Sequence, residues 1–211
     1  ITDTHGIENW KNKINYRVSK LYASVFSLPY ETSQPVSDII LNNMMIGKRK
    51  SNDWITVTLP DGRSGFVKEK NLKSLAHKKV QHVKKEEVLF EAYRMTGVPY
   101  LWGGNSSKAN DCSGFTQTVF KTLGIQLPRD ARQQALLGIK IIPDQTWKNI
   151  LPGDLLFFGK DKKVTHVGIS TGGKEFIHQG GMVKTNSLDE NSPNFSYNRL
   201  KSFLFIKRIL P

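Results

Sequence analysis

Polar and apolar residues alternate with period two through Trp54-Ile55-Thr56-Val57-Thr58-Leu59, which predicts a half-buried strand over 53–59. Leu21–Phe26 reads as another strand, and Pro60-Asp61-Gly62 as the turn that leads into Ser64-Gly65-Phe66-Val67. Residues 1–15 are polar and weakly patterned, with Trp10 and Ile14 as anchors. Beyond Lys85 the period changes. Glu86 and Glu87 suit the positive end of a helix whose apolar stripe is Val88, Leu89, Ala92 and Tyr93, and Gly97 ends it. A second helix follows Cys112, with Phe115, Val119, Phe120 and Leu123 on one face and Gly124 as its stop. Arg129-Asp130 opens a third, short one, with Asp130 as N-cap. Pro152-Gly153-Asp154 then turns the chain into an apolar strand, Leu155–Phe158. Val164–Ser170, Glu175–His178 and Phe203–Ile209 complete the strands. The pattern predicts an α+β protein: a small all-β domain with an N-terminal extension over 1–76, a basic linker over 77–85, and a mixed domain over 86–211.

Charge adds a partner class. With 31 basic and 18 acidic residues the net charge is +13, an excess that attracts anionic polymers or simply solubilises the surface. The basic residues are scattered, and no nucleic-acid-binding signature appears, so an anionic cell envelope is the better partner than nucleic acid. Lys73, Lys78, Lys79, Lys84 and Lys85 read as a solvated linker. No apolar run is long enough to span a bilayer, so stable membrane insertion is not expected. A single cysteine leaves no internal disulfide and no statement about redox compartment. The chain opens at Ile1 and not at Met, which fits removal of an upstream segment. Export to the periplasm or cell envelope is expected, with a cytoplasmic site as the alternative, and a monomer is the expected state.

Candidate chemistry gathers around that cysteine. A lone Cys is most often a small buried hydrophobe, but Cys112 stands between polar Asp111 and Ser113 after a loop rich in Gly, Asn and Ser. Its place at a helix start predicts a depressed thiol pKa. His166 and His178 lie downstream in strand-like segments, the layout of a nucleophile, a base and an orienting group. A three-residue loop Thr171-Gly172-Gly173 would set the two histidines directly opposite each other on one face. A two-residue Gly172-Gly173 loop would put them on opposite faces unless a bulge intervened. Neither histidine has zinc-ligand spacing, and no metal or cofactor is expected. His5, His77 and His82 lie in polar stretches and are read as surface residues.

Several ordered motifs carry a resemblance: Tyr100-Leu101-Trp102-Gly103-Gly104, Asp111-Cys112-Ser113-Gly114-Phe115, Leu127-Pro128-Arg129, Pro152-Gly153-Asp154-Leu155, His166-Val167-Gly168-Ile169 and His178. Over about residues 86–209 the chain resembles the NlpC-type cell-wall cysteine peptidases, a branch of the papain-like superfamily. Trp54 to Phe66 is similar to a bacterial SH3-like barrel, with Phe66 where a tryptophan is usual. The resemblance implies a papain-like catalytic domain, with helices packed on an antiparallel sheet, behind an SH3-like barrel. It implies hydrolysis of the γ-D-glutamyl–L-diamino acid bond of peptidoglycan stem peptides by Cys112, His166 and His178. Tyr100 would join the Cys112 backbone amide at the oxyanion, and Asp111, Ser113, Trp102 and Arg63 would meet substrate. Members with an SH3-like domain often take freed peptides with an unblocked L-alanine, whose amine would pair with Asp111. Two departures touch specificity: Arg63 stands where tyrosine is common, and Ala131 where a serine often contacts substrate. Cleavage of intact wall, and acyl transfer on the same fold, are the alternatives; an idle wall-binding protein would not need all three of Cys112, His166 and His178.

Overall fold

The structure, a computed structural model, describes residues 4–49, 53–75 and 83–210. Contacts divide the chain into two compact units, residues 1–81 and 82–211. His77, His82, Lys78, Lys79 and most of the expected linker lie outside the described residues.

The first unit begins with a helix the polar pattern did not announce, α1 (Thr4–Lys13). Seven strands follow: β1 (Tyr16–Val18), β2 (Tyr22–Phe26), β3 (Pro35–Ile40), β4 (Met44–Arg49), β5 (Trp54–Thr58), β6 (Ser64–Lys68) and β7 (Leu72–Ser74). They form one antiparallel sheet in the order β3-β2-β6-β5-β4-β1-β7. The alternation in β5 is real: Ile55 and Val57 are fully buried with Val18, Val25 and Val67. Trp54 is buried as well, against the edge of Phe26 and under the Lys68 ammonium.

The second unit carries α2 (Lys85–Tyr93), α3 (Cys112–Thr122), α4 (Ala131–Gln134), β8 (Ile139–Ile141), β9 (Leu155–Lys160), β10 (Lys163–Gly172), β11 (Glu175–Gln179), β12 (Val183–Ser187), α5 (Tyr197–Ser202) and β13 (Phe203–Arg208). Its six strands are antiparallel in the order β12-β11-β10-β9-β13-β8. Of the helical stripes, Phe115, Val119 and Phe120 of α3 are fully buried; in α2 Val88 and Ala92 are buried and Tyr93 is exposed. Asp130 occupies the N-cap position of α4 but its side chain makes no cap bond there. Pro152-Gly153-Asp154 does more than turn the chain. Asp154, 2% exposed, accepts two hydrogen bonds from Arg208 (both 2.8 Å), so the last strand is pinned to the turn before β9.

The β10–β11 hairpin differs from the expected register. Ser170 faces Phe176 and Gly168 faces His178, with an irregularity between Ser170 and Gly172 and a tight Gly173-Lys174 turn. His166 therefore lies two residues along the strand from the partner of His178, on the same face, and not directly opposite it. The extra residue Thr171 is what an even-length loop needs to keep both rings on one side.

Candidate active site

Asp111 caps α3 by accepting a hydrogen bond from the Gly114 amide at 2.8 Å, which places Cys112 at the first helical position. Close approach of two backbones allows this. A Cβ on Gly114 would come within 2.0 Å of the Gly104 carbonyl oxygen, so only glycine lets the Gly103-Gly104 loop lie against the helix start. Cys112 lines a cavity of about 750 Å³ together with Tyr100, Trp102, Asp111, Ser113, Arg129, Ala131 and His166.

His166 and His178 form a buried pair, 7% and 2% exposed, joined by a 2.8 Å hydrogen bond from ring to ring (His166 Nε2 to His178 Nδ1). The rings meet edge to face with centroids 4.9 Å apart. Two glycines make room. A Cβ on Gly168 would sit 3.0 Å from the His178 Cβ, and one on Gly180 would sit 2.8 Å from its Cε1. His178 Nε2 in turn meets Asn186 Oδ1 at 2.9 Å.

Protonation at rest follows from burial and charge. Burial and the nearby Arg199 guanidinium hold His166 well below the usual imidazole value. Burial lowers His178 to about 4, against a raising effect of Asn186. Cys112 moves the other way from the expectation. Loss of water around the thiol and the Asp111 charge raise its pKa, outweighing the Val167 and Ser113 amides and Arg199 that favour thiolate. The helix start alone does not make a thiolate here. Burial and the charges of Cys112 and Asp111 raise the Tyr100 phenol, which keeps it a hydrogen-bond donor at neutral pH.

Arg129 is the charged partner of Asp111. Its guanidinium donates to both Asp111 oxygens, to Ser113 Oγ at 3.0 Å and to the Gly104 carbonyl at 3.2 Å. Gly103 N and Ser113 Oγ also donate to the carboxylate. Burial would raise the Asp111 pKa, but Arg129 and the Gly114 and Gly103 amides bring it below the ordinary value. Its charge is balanced and its lone pairs are engaged before any substrate arrives. Ser113 is 5% exposed and tied into the same network. Trp102 is 85% exposed at the cavity. Arg63 belongs to the first unit, where Asp61 and the Val36 carbonyl take its donors.

Four positioning residues had no reading in the sequence. Gln134, fully buried, donates to the Ser113 and Pro128 carbonyls and accepts from Thr116, fastening α4 to α3. Gln179 reaches Asn110 Oδ1 at 2.8 Å, tying the strand of His178 to the loop before Cys112. Asn186 and Arg199 surround the histidines. Spacing signals none of these, because each bond joins residues distant in sequence or polar residues in unpatterned segments. Among the described residues no group of three or more His, Cys, Asp or Glu side chains converges as a metal site would.

A thiol at a helix start, sharing a cavity with one imidazole of a hydrogen-bonded pair on an antiparallel sheet, has the parts of a thiol-dependent acyl-transfer site. Comparison with known proteins gives the family. A model of the NlpC/P60 family matches residues 97–201. Dipeptidyl-peptidase 6 of Lysinibacillus sphaericus is 30% identical over 193 residues, 87% of this chain and 68% of that protein. The γ-D-glutamyl-L-lysine dipeptidyl-peptidase of Bacillus subtilis strain 168 is 41% identical over 96 residues, 44% of this chain and 31% of that one. The crystal structure of an NlpC/P60 family protein from Bacillus cereus ATCC 10987 superimposes with a TM-score of 0.81 at 25% identity, over 100% of this chain and 68% of that chain. The chain belongs to the NlpC/P60 family. Among the described residues no helix is long and apolar enough to cross a membrane.

Proposed function

We propose that this chain is a cysteine peptidase of the cell envelope that hydrolyses the γ-D-glutamyl–L-diamino acid bond of peptidoglycan stem peptides. The observation that carries the reading is the His166–His178 hydrogen bond at the cavity shared with Cys112. The activity for which the Bacillus subtilis relative is named supports the choice of bond. At rest the thiol and both imidazoles are neutral, so His166 acts as a general base. It takes the Cys112 proton as Sγ attacks the amide carbonyl, while the Cys112 amide and the Tyr100 hydroxyl receive the developing oxyanion. The resulting imidazolium gives its proton to the leaving amine, the carbon–nitrogen bond breaks, and water activated by His166 cleaves the thioester. His178 holds the His166 ring throughout. Residues 1–76 we read as an SH3-like domain followed by a basic linker over 77–85; the seven-stranded antiparallel sheet with its own core supports this.

Freed peptides with an N-terminal L-alanine are the substrate form that the resemblance implies. The Arg129–Asp111 pair favours a second reading, cleavage of stems still attached to the wall, because no unbalanced carboxylate waits beside Cys112 for an ammonium. Defined muropeptides analysed by mass spectrometry test both. Release of L-Ala-γ-D-Glu by the wild type, and its loss in Cys112→Ser, is expected. A folded wild-type protein that leaves every γ-D-glutamyl bond intact would overturn the activity. N-acetylation of the alanine lowering kcat/KM by much more than about ten-fold, the scale of one charge-assisted hydrogen bond, would restore the free-amine reading.

A further inference from the structure

The histidine pair does not end at His178. Its Nε2 lies 2.9 Å from Asn186 Oδ1, and Asn186 Nδ2 lies 2.8 Å from the Asn194 carbonyl oxygen. A carbonyl can only accept, so the atom facing it must be the NH₂ of Asn186, whichever way the amide is first drawn. The other end, facing His178, is then the amide oxygen. An oxygen at that distance requires a proton on His178 Nε2. A neutral ring has one proton, so His178 Nδ1 is bare and accepts from His166 Nε2–H at 2.8 Å. His166 is left with an unprotonated Nδ1 in a ring that lines the cavity of Cys112. Asn194 is itself held: its carbonyl also accepts from the Ser187 amide at 3.0 Å, and its side chain donates to Glu175 and accepts from Ser192.

We propose that Asn186 is a positioning residue that sets the tautomer of both histidines, by relaying the fixed polarity of the Asn194 carbonyl through His178 to His166. The inference rests on the peptidase reading for its consequence, since an unprotonated His166 Nδ1 matters only if it serves as the base. The geometry also says what must break the relay. Protonation of His178 puts a proton on Nδ1, which then has to donate to His166 Nε2. That reverses the inner hydrogen bond and drives the His166 proton onto Nδ1, blocking the base. The charged groups that face the pair oppose this: Arg199, whose guanidinium lies 5.7 Å from the Phe158 ring that packs on His166, and Lys184, the register partner of His178 on β12. The Glu175 carboxylate is one step farther out, on Asn194.

Histidine ¹⁵N spectra of the 211-residue chain at neutral pH read the tautomers without any substrate, so failure here is distinguishable from a wrong choice of substrate. Both rings are expected as the Nε2–H form. Asn186→Leu should mix the tautomers and lower kcat by about ten-fold or more while leaving KM in place. Asn186→Asp keeps an acceptor but favours the His178 cation, so the acid limb of kcat/KM should move up by about one pH unit or more, with activity retained above it. An Nδ1–H form of either ring in the wild type would overturn the proposal, as would Asn186→Leu with both rings still Nε2–H and kcat unchanged. The wild-type spectrum decides even if a variant fails to fold.

Discussion

At Cys112 the dipole of α3 and two backbone amides work against burial and the Asp111 charge, and burial is the largest contribution. The consequence is kinetic. A thiol that ionises above its ordinary range should react slowly with iodoacetamide at neutral pH and accelerate only as pH climbs past about 8.5. Rapid alkylation already below neutrality would mean that a thiolate–imidazolium pair exists in the free protein. His178 makes a second, thermodynamic statement. Its folded pKa of about 4 lies below the unfolded value near 6.5, so between those values the unfolded chain binds the extra proton and stability rises with pH. The contribution is complete above pH 6.5 and lost as pH falls toward 4. It amounts to about 3 kcal/mol for a shift of this size. His166 adds a slope of the same sign. Urea denaturation across this window should therefore show a shallower pH slope in His178→Gln than in wild type; equal slopes would remove burial of a neutral His178 as the cause.

The hairpin that carries the two histidines shows how much an element depends on one residue. Gly180 would be the strand partner of His166 if the β10–β11 register continued, and any Cβ there meets His178 Cε1 at 2.8 Å and Lys184 Cε at 2.9 Å. The Lys184 end can swing away, but the imidazole is held on both nitrogens. Gly180→Ala should thus displace His178 and depress kcat while the fold survives. Gly114→Ala meets the Gly104 carbonyl itself and should cost stability, about 1–3 kcal/mol or more by chemical denaturation. The opposite ranking would falsify this account of the two glycines. Alternation along β10 and β11 was readable, but it left open whether the two imidazoles share a face, because that turned on the loop. Neither the shared face nor the two-residue offset could be read, because the irregularity at Thr171 has no mark in a run of Ser, Thr and Gly. The same reasoning separates α3 from α5 and β9 from β12. Phe115, Val119 and Phe120 repeat with the helical period, and Leu155–Phe158 is uniformly apolar. Tyr197–Ser202 has no buried residue, and β12 reads Val-Lys-Thr-Asn-Ser, so neither departs from the pattern of a loop. Asn186, which the relay needs, sits in that illegible strand.

Across the whole molecule, Cys112 and the paired histidines were legible because they are few, chemically distinct and flanked by glycine-rich motifs. Arg129 was visible only as part of Leu-Pro-Arg, and the sequence offered no sign that its charge cancels Asp111, since ion pairing between residues 18 apart follows from the folded loop. That cancellation changes how the chain should select its target. If the cavity holds no unbalanced carboxylate for the peptide amine, attraction to substrate falls to the surface charge. The surface charge is spread over both units: 13 basic against 7 acidic residues in 1–81, and 18 against 11 in 82–211. A distributed positive field acts on a polyanionic wall through many weak contacts, and it weakens as the screening length falls from about 10 Å at 0.1 M salt to about 3 Å at 1 M. A short stem peptide with few charges samples only the cavity, whose Arg129–Asp111 pair is part-buried and less screened than the open surface. Raising salt over that range should therefore reduce sedimentation with purified anionic walls, and the rate on those walls, while kcat/KM on a soluble tripeptide stays within about two-fold. The comparison uses Cys112→Ser for binding and the wild type for rate. Parallel loss on both substrates would place the sensitive charges in the cavity and return the amine to Asp111. Salt-independent wall binding would leave the +13 charge with a purely solubilising role.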